Sequence, residues 1–379
     1  MITLEQYKEQ FFRSSQWVHL NNAGLAPINL RAKETLEYWS KRFFEEGFAT
    51  DHDYMLAYQS TRQHLAQLMG CTSQEVSFFL NTSGGINQVA FHLDLKPNDE
   101  ILMWDQEYPS HLYPWQQASL ASGAQLKIVE SDKNTWATPT DDFIKKMTDK
   151  TRVVAFSWMQ YQSGAMMDWA LVIQEAKKRG IFVFVDAMQG LGILPFDLWS
   201  LGVDAMVGGS HKWLTSPVGA GFLALKNEHI SKMKPHSFGS MTFGTCDDPS
   251  DFECQPKFDA TKFEPGAKQV FEITALGAST ELTLKTGVSQ LYQESLRLKS
   301  LLHQKLQGLG YSALQPNQGL PYESPLLNVL PKKNQTPEEL SQKLRAHFIL
   351  HAKRGPGVRL SVHAFNNEND IERVVKALK

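Results

Sequence analysis

Two polar residues, Asp186 and Lys212, each follow a short apolar run that predicts a buried β-strand. The first run covers residues 181–185 and the second covers residues 205–207. Short apolar runs without alternation are typical of parallel strands that are covered on both faces. Because ligands bind outside the carboxyl ends of strands in open α/β sheets, we expect the acid and the lysine at one edge of the same sheet.

Such a pair of side chains has the chemistry that a cofactor with a ring nitrogen, an aldehyde and a phosphate requires. The lysine amine forms a Schiff base with the aldehyde, and the acid keeps the ring nitrogen protonated so that the ring accepts electrons. Ser210 and His211, directly before Lys212, are candidate donors to the phosphate. A Ser-His-Lys tripeptide alone more often indicates a surface lysine. An Asp-x-x-Gln at 186–189, followed by lysine 26 positions after the aspartate, is a more specific pattern.

At these residues the sequence resembles the class V aminotransferase family of enzymes that depend on pyridoxal 5′-phosphate (PLP). The family includes cysteine desulfurases, kynureninases and isopenicillin N epimerase-like proteins, and the resemblance extends from about residue 20 to residue 374. It implies an α/β protein of PLP-dependent transferase fold type I. We expect an N-terminal arm (1–16), a large PLP-binding domain with a mostly parallel seven-stranded sheet (17–262) and a smaller α+β C-terminal domain (263–379).

A second informative stretch is residues 78–95, where a short apolar run leads into Asn-Thr-Ser-Gly-Gly and then into a helical pattern. A helix N-terminus with small and hydroxyl residues offers free backbone N–H groups and the positive end of the helix dipole to a phosphate. The same residues also fit an ordinary Ser/Thr cap with glycines for the turn. The resemblance assigns phosphate binding to Thr82, Ser83 and the amide of Gly84.

Three further residues are cofactor ligands by the resemblance. Tyr108 occupies the position of an aromatic residue that lies over the cofactor ring. Desulfurases carry histidine there, so the tyrosine favours the epimerase- and kynureninase-like branch. Gln160 matches a residue that contacts the ring hydroxyl or the substrate, although a solvated loop glutamine is an equally good interpretation. Gln189 matches the residue that hydrogen-bonds the ring hydroxyl.

Substrate binding is predicted for Arg359 and Asn22. The segment RLSVHAFN that begins at Arg359 resembles the family pattern R-x-S-x-H-x-Y-N, in which the arginine holds the substrate α-carboxylate. A guanidinium fork grips a carboxylate at two points, although a salt bridge within the domain is the commoner fate of an arginine. Asn22 matches a position next to the substrate, and Lys353 and Arg354 are candidates for the same pocket.

The chain departs from the family pattern at two places. The segment before the Arg359 strand, in which desulfurases carry their cysteine, reads HAKRGPG, so desulfuration through a persulfide is not expected. Residues 263–267 resemble an F-E-x-G-T segment whose hydroxyl reaches the phosphate of a neighbouring subunit. Here Ala267 takes the place of the hydroxyl residue, and that contact is missing.

The predicted function is therefore a PLP-dependent enzyme that acts on an amino acid, with aminotransferase ranked first. Lys212 is the expected base, because desolvation lowers the pKa of a buried amine. Elimination, kynurenine-like hydrolysis and epimerisation remain open, as does a non-catalytic PLP-binding regulatory protein. A nucleotide-binding domain is disfavoured because no G-x-G-x-x-G follows the first strand. The resemblance also implies a homodimer with shared active sites.

Composition excludes several other classes of function. The net charge of −2 over 379 residues gives no basic field for nucleic acid or an anionic membrane. We find no signal peptide pattern and no apolar run long enough to span a bilayer. Three cysteines without CxxC spacing indicate neither a metal site nor a disulfide framework, and they fit a reducing compartment. We therefore expect a cytoplasmic protein without a metal.

Overall fold

The computed structural model describes residues 1–244 and 253–379. Its strands lie mostly in one large central sheet and one smaller C-terminal sheet. In chain order they are β1 (Val18–His19), β2 (Val76–Phe79), β3 (Glu100–Trp104), β4 (Gln125–Val129), β5 (Thr151–Ser157), β6 (Phe182–Asp186), β7 (Ala205–Gly209), β8 (Gly221–Leu225), β9 (Ser312–Ala313), β10 (Leu326–Leu330), β11 (Ile349–Leu350), β12 (Ala352–Arg354) and β13 (Gly357–Ser361).

The helices cover both faces of the central sheet and one face of the smaller sheet. They are α1 (Leu4–Lys8), α2 (Leu30–Glu46), α3 (Asp51–Met69), α4 (Thr82–Ala90), α5 (Pro109–Ser122), α6 (Thr140–Lys145), α7 (Trp169–Lys178), α8 (Asn227–Ile230), α9 (Val270–Thr286), α10 (Val288–Gly308), α11 (Pro337–Ala346) and α12 (Glu368–Leu378). Short 3₁₀ turns occur at Gly47–Thr50, Ser73–Glu75, Ser240–Thr242 and Ala260–Phe263.

The central sheet has seven strands in the order β2-β8-β7-β6-β5-β3-β4. Within this sheet β8 runs antiparallel to both of its neighbours, β2 and β7, and the other strand pairs are parallel. Every residue of β6 and of β7 is buried, as expected for parallel strands with helices on both faces. The predicted α/β fold with a mostly parallel seven-stranded sheet and a smaller C-terminal domain is confirmed.

The smaller sheet is antiparallel, with strand order β12-β13-β10-β9, and it packs against α10 and α11, which in turn pack on α12. A parallel pairing of β1 with β11 ties the beginning of the chain to this C-terminal unit. Val18 and Leu20 accordingly belong to the apolar core of the C-terminal unit. Residues after the predicted N-terminal arm therefore serve both parts of the protein.

The division at residues 262 and 263 stays a prediction, and the packing suggests a later boundary. Helix α9 packs mainly on α2 and α3, whereas α10 packs on α12 and on strands of the smaller sheet. Gly287, with φ 91°, lies between α9 and α10, in a conformation that glycine adopts at little cost. We propose that the C-terminal unit begins there.

The cysteines differ in part from expectation. Cys254 is disulfide-bonded, so the expectation of no disulfide is wrong for this residue. Cys71 is a free thiol, and Cys246 lies outside the described residues. The cytoplasmic location stays a prediction and draws no support from the cysteines. No helix in residues 1–244 and 253–379 is both long and apolar enough to cross a lipid bilayer.

Gly221 at the start of β8 provides a test of how the central sheet positions α4. A Cβ atom there would lie 2.3 Å from the carbonyl carbon of Asn81, the residue that caps α4. We expect Gly221→Ala to lower the free energy of unfolding by about 3 kcal/mol, because two backbones must separate. Gly308→Ala, at an open position in α10, should change it by less than about 1 kcal/mol. Chemical denaturation measures both, and equal effects would contradict the proposed close approach.

Candidate active site

The carboxyl ends of four neighbouring parallel strands, β3, β5, β6 and β7, meet at one edge of the central sheet. Asp186 is the last residue of β6 and pairs in register with Val207 of β7. Lys212 follows β7 by three residues, after a turn at the same edge. The sheet thus brings the predicted acid and the predicted amine to one place, as expected from the two apolar runs.

Asp186 is a buried carboxylate that points into this edge of the sheet. Its Oδ1 accepts a hydrogen bond of 2.8 Å from the backbone N–H of Met188. Burial raises the pKa of Asp186, while the charges of His111 and Lys212 and the Met188 N–H oppose that rise. A carboxylate in this setting gains strongly from a cationic N–H donor in a ligand.

Lys212 is the amine of the site. Burial lowers its pKa to about 8, and the Asp186 carboxylate opposes this shift. The positive charges of Arg359 and Arg354 lower the pKa of the amine further. The Nζ atom lies 5.6 Å from the centre of the Tyr108 ring, which stands at the N-terminus of α5 and is 43% exposed. Tyr108 therefore borders the Lys212 amine, and its predicted place over the cofactor ring stays a prediction.

A buried cluster around Glu107 was missed by the sequence analysis. Its carboxylate accepts hydrogen bonds from the Ser157 N–H (2.9 Å), the Ser157 hydroxyl and Gln160 Nε2 (2.7 Å), and it contacts His111 Nδ1 at 2.8 Å. Burial disfavours a charged His111, but the carboxylates of Glu107 and Asp186 together outweigh burial and raise the pKa of the imidazole. The sequence pattern that could have predicted this pair is Glu-x-x-x-His just after a strand, because residues four apart lie on one face at the start of a helix.

The two predicted glutamines differ in whether a side-chain atom remains without a hydrogen-bond partner among the described residues. Gln160 uses Nε2 for Glu107, while its Oε1 is buried without a hydrogen-bond partner among the described residues. Such an orphan acceptor requires an explanation, and a ligand donor provides one. Gln189 instead bonds the Ala23 carbonyl through Nε2 and accepts from Trp213 Nε1 through Oε1. Its role toward the ring stays a prediction, and its contacts position the Lys212 segment.

The predicted phosphate turn forms the start of α4. Asn81 caps the helix by accepting from the Gly84 N–H at 3.1 Å, so that amide is already engaged. The amides of Thr82 and Ser83 stand in the first turn, where a helix leaves N–H groups without intrahelical acceptors. Beside this turn lies a cavity of about 740 Å³, whose lining includes Ser83, Gly84 and Ala267.

The two residues before Lys212 have different environments. The Ser210 hydroxyl is buried and donates its proton to the Pro217 carbonyl, so this contact holds the turn and leaves no donor for a phosphate. Phosphate binding by Ser210 stays a prediction without support from its geometry. His211 is partly exposed, and burial together with the Lys212 charge lowers its pKa to about 4. His211 is therefore neutral at neutral pH.

Arg359 reaches the same edge of the sheet from β13 of the C-terminal unit. Its Nη1 donates to the Tyr161 carbonyl (2.6 Å) and its Nη2 to Asn21 Oδ1 (3.0 Å). The Nε atom is buried without a partner, and the residue is 1% exposed. No carboxylate within the described ranges pairs with it. Asn22, which is predicted next to the substrate, donates to the Ser361 carbonyl at 2.7 Å, and its role toward the substrate stays a prediction. The asparagine that touches Arg359 is Asn21.

Comparison with known proteins identifies the family. Residues 30–374 match the model of aminotransferase class V. The chain belongs to the class V aminotransferase family. Its relatives include a probable cysteine desulfurase of Mycoplasma genitalium, 26% identical over 78% of this chain and 74% of the relative. They also include the isopenicillin N epimerase of Amycolatopsis lactamdurans, 24% identical over 84% of each chain.

A solved structure agrees with this family fold over nearly the whole chain. It is a mutant of C-DES with glycine covalently linked to the PLP cofactor, and it superposes with a TM-score of 0.87. The two chains are 20% identical, and the match covers 98% of each. The likeness shows that this class V chain has fold type I.

The class V family binds PLP, and the residues at the sheet edge fit this cofactor. Asp186 would hold the pyridine nitrogen, because a buried carboxylate whose pKa is raised gains from a cationic donor. Tyr108 would lie along the ring, and the orphan Oε1 of Gln160 would accept from a polar group. The amides of Thr82 and Ser83 would receive the phosphate, and the Lys212 amine would join the aldehyde.

The lowered pKa of Lys212 can be tested in the PLP-free protein. We expect reductive methylation of this lysine to follow a pKa of about 8, since burial outweighs the Asp186 charge. Asp186→Asn removes the charge that holds the pKa up, so the midpoint should move to lower pH. Asp132→Asn, in an exposed loop, should leave it unchanged. Mass spectrometry of the modified peptide measures the midpoint, and a value near the ordinary one of about 10.4 would contradict the prediction.

Proposed function

We propose that this class V protein is a PLP-dependent aminotransferase that acts on an amino acid. The observation that carries the proposal is the placement of Lys212, with a lowered pKa, beside a buried arginine that has no acidic partner in the described part of the chain. The Lys212 amine can accept a proton from an α-carbon, and the Arg359 guanidinium can bind the α-carboxylate of the same amino acid. Asp186 completes the set as the group for the cofactor ring nitrogen.

The residues of this chain have separate roles in the proposed reaction. Arg359 binds the α-carboxylate through its guanidinium, which is held in position by the Tyr161 carbonyl and by Asn21. When bound, PLP supplies an aldehyde and a ring that accepts electrons. Lys212 removes and returns the proton of the α-carbon, because its lowered pKa leaves much of the amine neutral near pH 8. Tyr108 and Tyr161, whose rings are 5.0 Å apart, wall the same space.

Transamination is preferred because it needs one base, and Lys212, whose pKa burial lowers to about 8, can serve as that base. The charged groups that act on Lys212 are Asp186, Arg359 and Arg354, and the latter two cannot accept a proton at neutral pH. Epimerisation requires proton transfer on both faces of the α-carbon. Desulfuration requires a thiol in residues 351–357, and that segment contains none. Transamination needs a single base, which moves a proton from the α-carbon to a second carbon.

An amino-acid panel tests the proposal. The purified protein with PLP should show a visible absorption band that borohydride removes, with the adduct on Lys212. Productive amino acids should convert the spectrum to that of the pyridoxamine form, and a 2-oxo acid should reverse the change. Lys212→Ala should lose both the adduct and the conversion. Release of ammonia and an oxo acid without the pyridoxamine form would show a lyase and overturn the transaminase proposal.

We also infer a homodimer in which the cavity beside the α4 turn faces the partner. This cavity has a volume of about 740 Å³ and borders both the start of α4, at Ser83 and Gly84, and the segment that contains Ala267. A second subunit would shield the phosphate turn from water. Sedimentation velocity should give a single species near twice the mass of 42.9 kDa, and a monomer at micromolar concentration would contradict the inference. The cytoplasmic location remains a proposal, to be tested by cell fractionation.

A further inference from the structure

The hairpin formed by β12 and β13 places a second arginine, Arg354, on the same face of the small sheet as Arg359. Ala352 pairs with Arg359 and Arg354 pairs with Gly357, so these four positions share one face. Lys353 points to the other face, where it pairs with Glu338 of α11 at 2.6 Å. The hairpin thus separates its two cations, one toward the active site and one toward a helix.

The backbone around Arg354 is held in place. Asn328 Nδ2 donates to the Arg354 carbonyl (2.9 Å) and to the Gln162 carbonyl (3.0 Å), which bridges the hairpin to the loop after β5. Gly355, with φ 54°, makes the turn, and a Cβ atom there would meet the Trp136 ring at 2.8 Å. The origin of the Arg354 side chain is therefore fixed relative to the active site.

The charge of Arg354 is felt inside the active site. It acts on the Lys212 amine, on the Arg359 guanidinium and on the Tyr161 hydroxyl. The side chain is exposed and donates to the Lys353 carbonyl at 3.0 Å. No ion pair forms between Arg354 and an acidic group in residues 1–244 or 253–379. Its charge is thus unbalanced at the mouth of the site.

The two acidic groups described at the site, Asp186 and Glu107, already have a proposed role or a partner. Asp186 lies at the end of β6 for the ring nitrogen, and Glu107 is buried with His111. One substrate α-carboxylate would balance Arg359 alone. Arg354 is exposed and has no acidic partner in the described part of the chain, so its guanidinium is available to a second negative charge on the ligand.

We propose that Arg354 binds an anionic group on the substrate side chain, so that the substrates are amino acids with a second negative charge. The inference rests on the proposed PLP-dependent function and adds the class of substrate. A guanidinium binds carboxylate and phosphate oxygens equally well in geometry, so the side-chain anion is a carboxylate or a phosphate ester.

Spectral titration of the PLP-loaded protein with matched ligand pairs tests the inference. The pairs are aspartate with asparagine, glutamate with glutamine, and O-phosphoserine with serine. A preference within either of the first two pairs indicates a side-chain carboxylate, and a preference within the third indicates a phosphate ester. We expect the anionic member of at least one pair to bind at least about tenfold more tightly. Arg354→Ala and Arg354→Gln should remove that preference, with binding of the neutral member changed less than about twofold.

Lys353→Ala is the matched control, because it removes the same charge from the next residue on the opposite face. It should keep the preference for the anionic ligand. The inference is overturned if the wild-type protein binds both members of every pair equally, if the neutral members bind better, or if the Arg354 variants weaken both members alike. A protein without a borohydride-sensitive band would overturn the proposed function itself and the inference with it. A normal band without anion preference would overturn the inference alone.

Discussion

The site depends on holding unlike charges in a buried place without neutralising all of them. Asp186, Lys212 and Arg359 all pay a desolvation cost, which appears as a raised pKa for the acid and lowered pKa values for the two bases. Isolated charges in such a place would favour water or a partner side chain. A rigid parallel sheet and its packed loops prevent the side chains from relaxing toward each other, so the interactions remain available to a ligand.

The loops at the ends of the chain complete this arrangement. The segment after β1 crosses the site, where Asn21 contacts Arg359 and the Ala23 carbonyl accepts from Gln189. The Ala26 N–H also donates to the carbonyl of His211, next to Lys212. His363, stacked on Trp213, supports the same segment from the C-terminal unit. The site is therefore assembled from the beginning, the middle and the end of the chain, and folding of both units is needed to form it.

Within the class V family, the chemistry of this chain is distinguished by what borders the common centre. A tyrosine lies beside the amine, and an arginine occupies the hairpin before the Arg359 strand, which contains no cysteine. The buried Glu107 cluster links Gln160 to His111 and acts electrostatically on Asp186. We propose that these features bear on the substrate and on proton placement, while the strand ends that would hold the cofactor belong to the family fold.

Much of this protein is determined by local sequence. The apolar runs before Asp186 and Lys212 predict two neighbouring strands, and both residues do lie at one edge of the sheet, because buried parallel strands are encoded in their own short segments. The Asn-Thr-Ser-Gly start of α4 is likewise a local signal. Only the tertiary structure decided that Asn21 contacts Arg359, and that the Ser210 hydroxyl bonds a carbonyl. It also decided that Arg354 shares a face with Arg359. Hydrogen-bond partners, sheet register and uncompensated charge arise between distant segments, and no single segment encodes them.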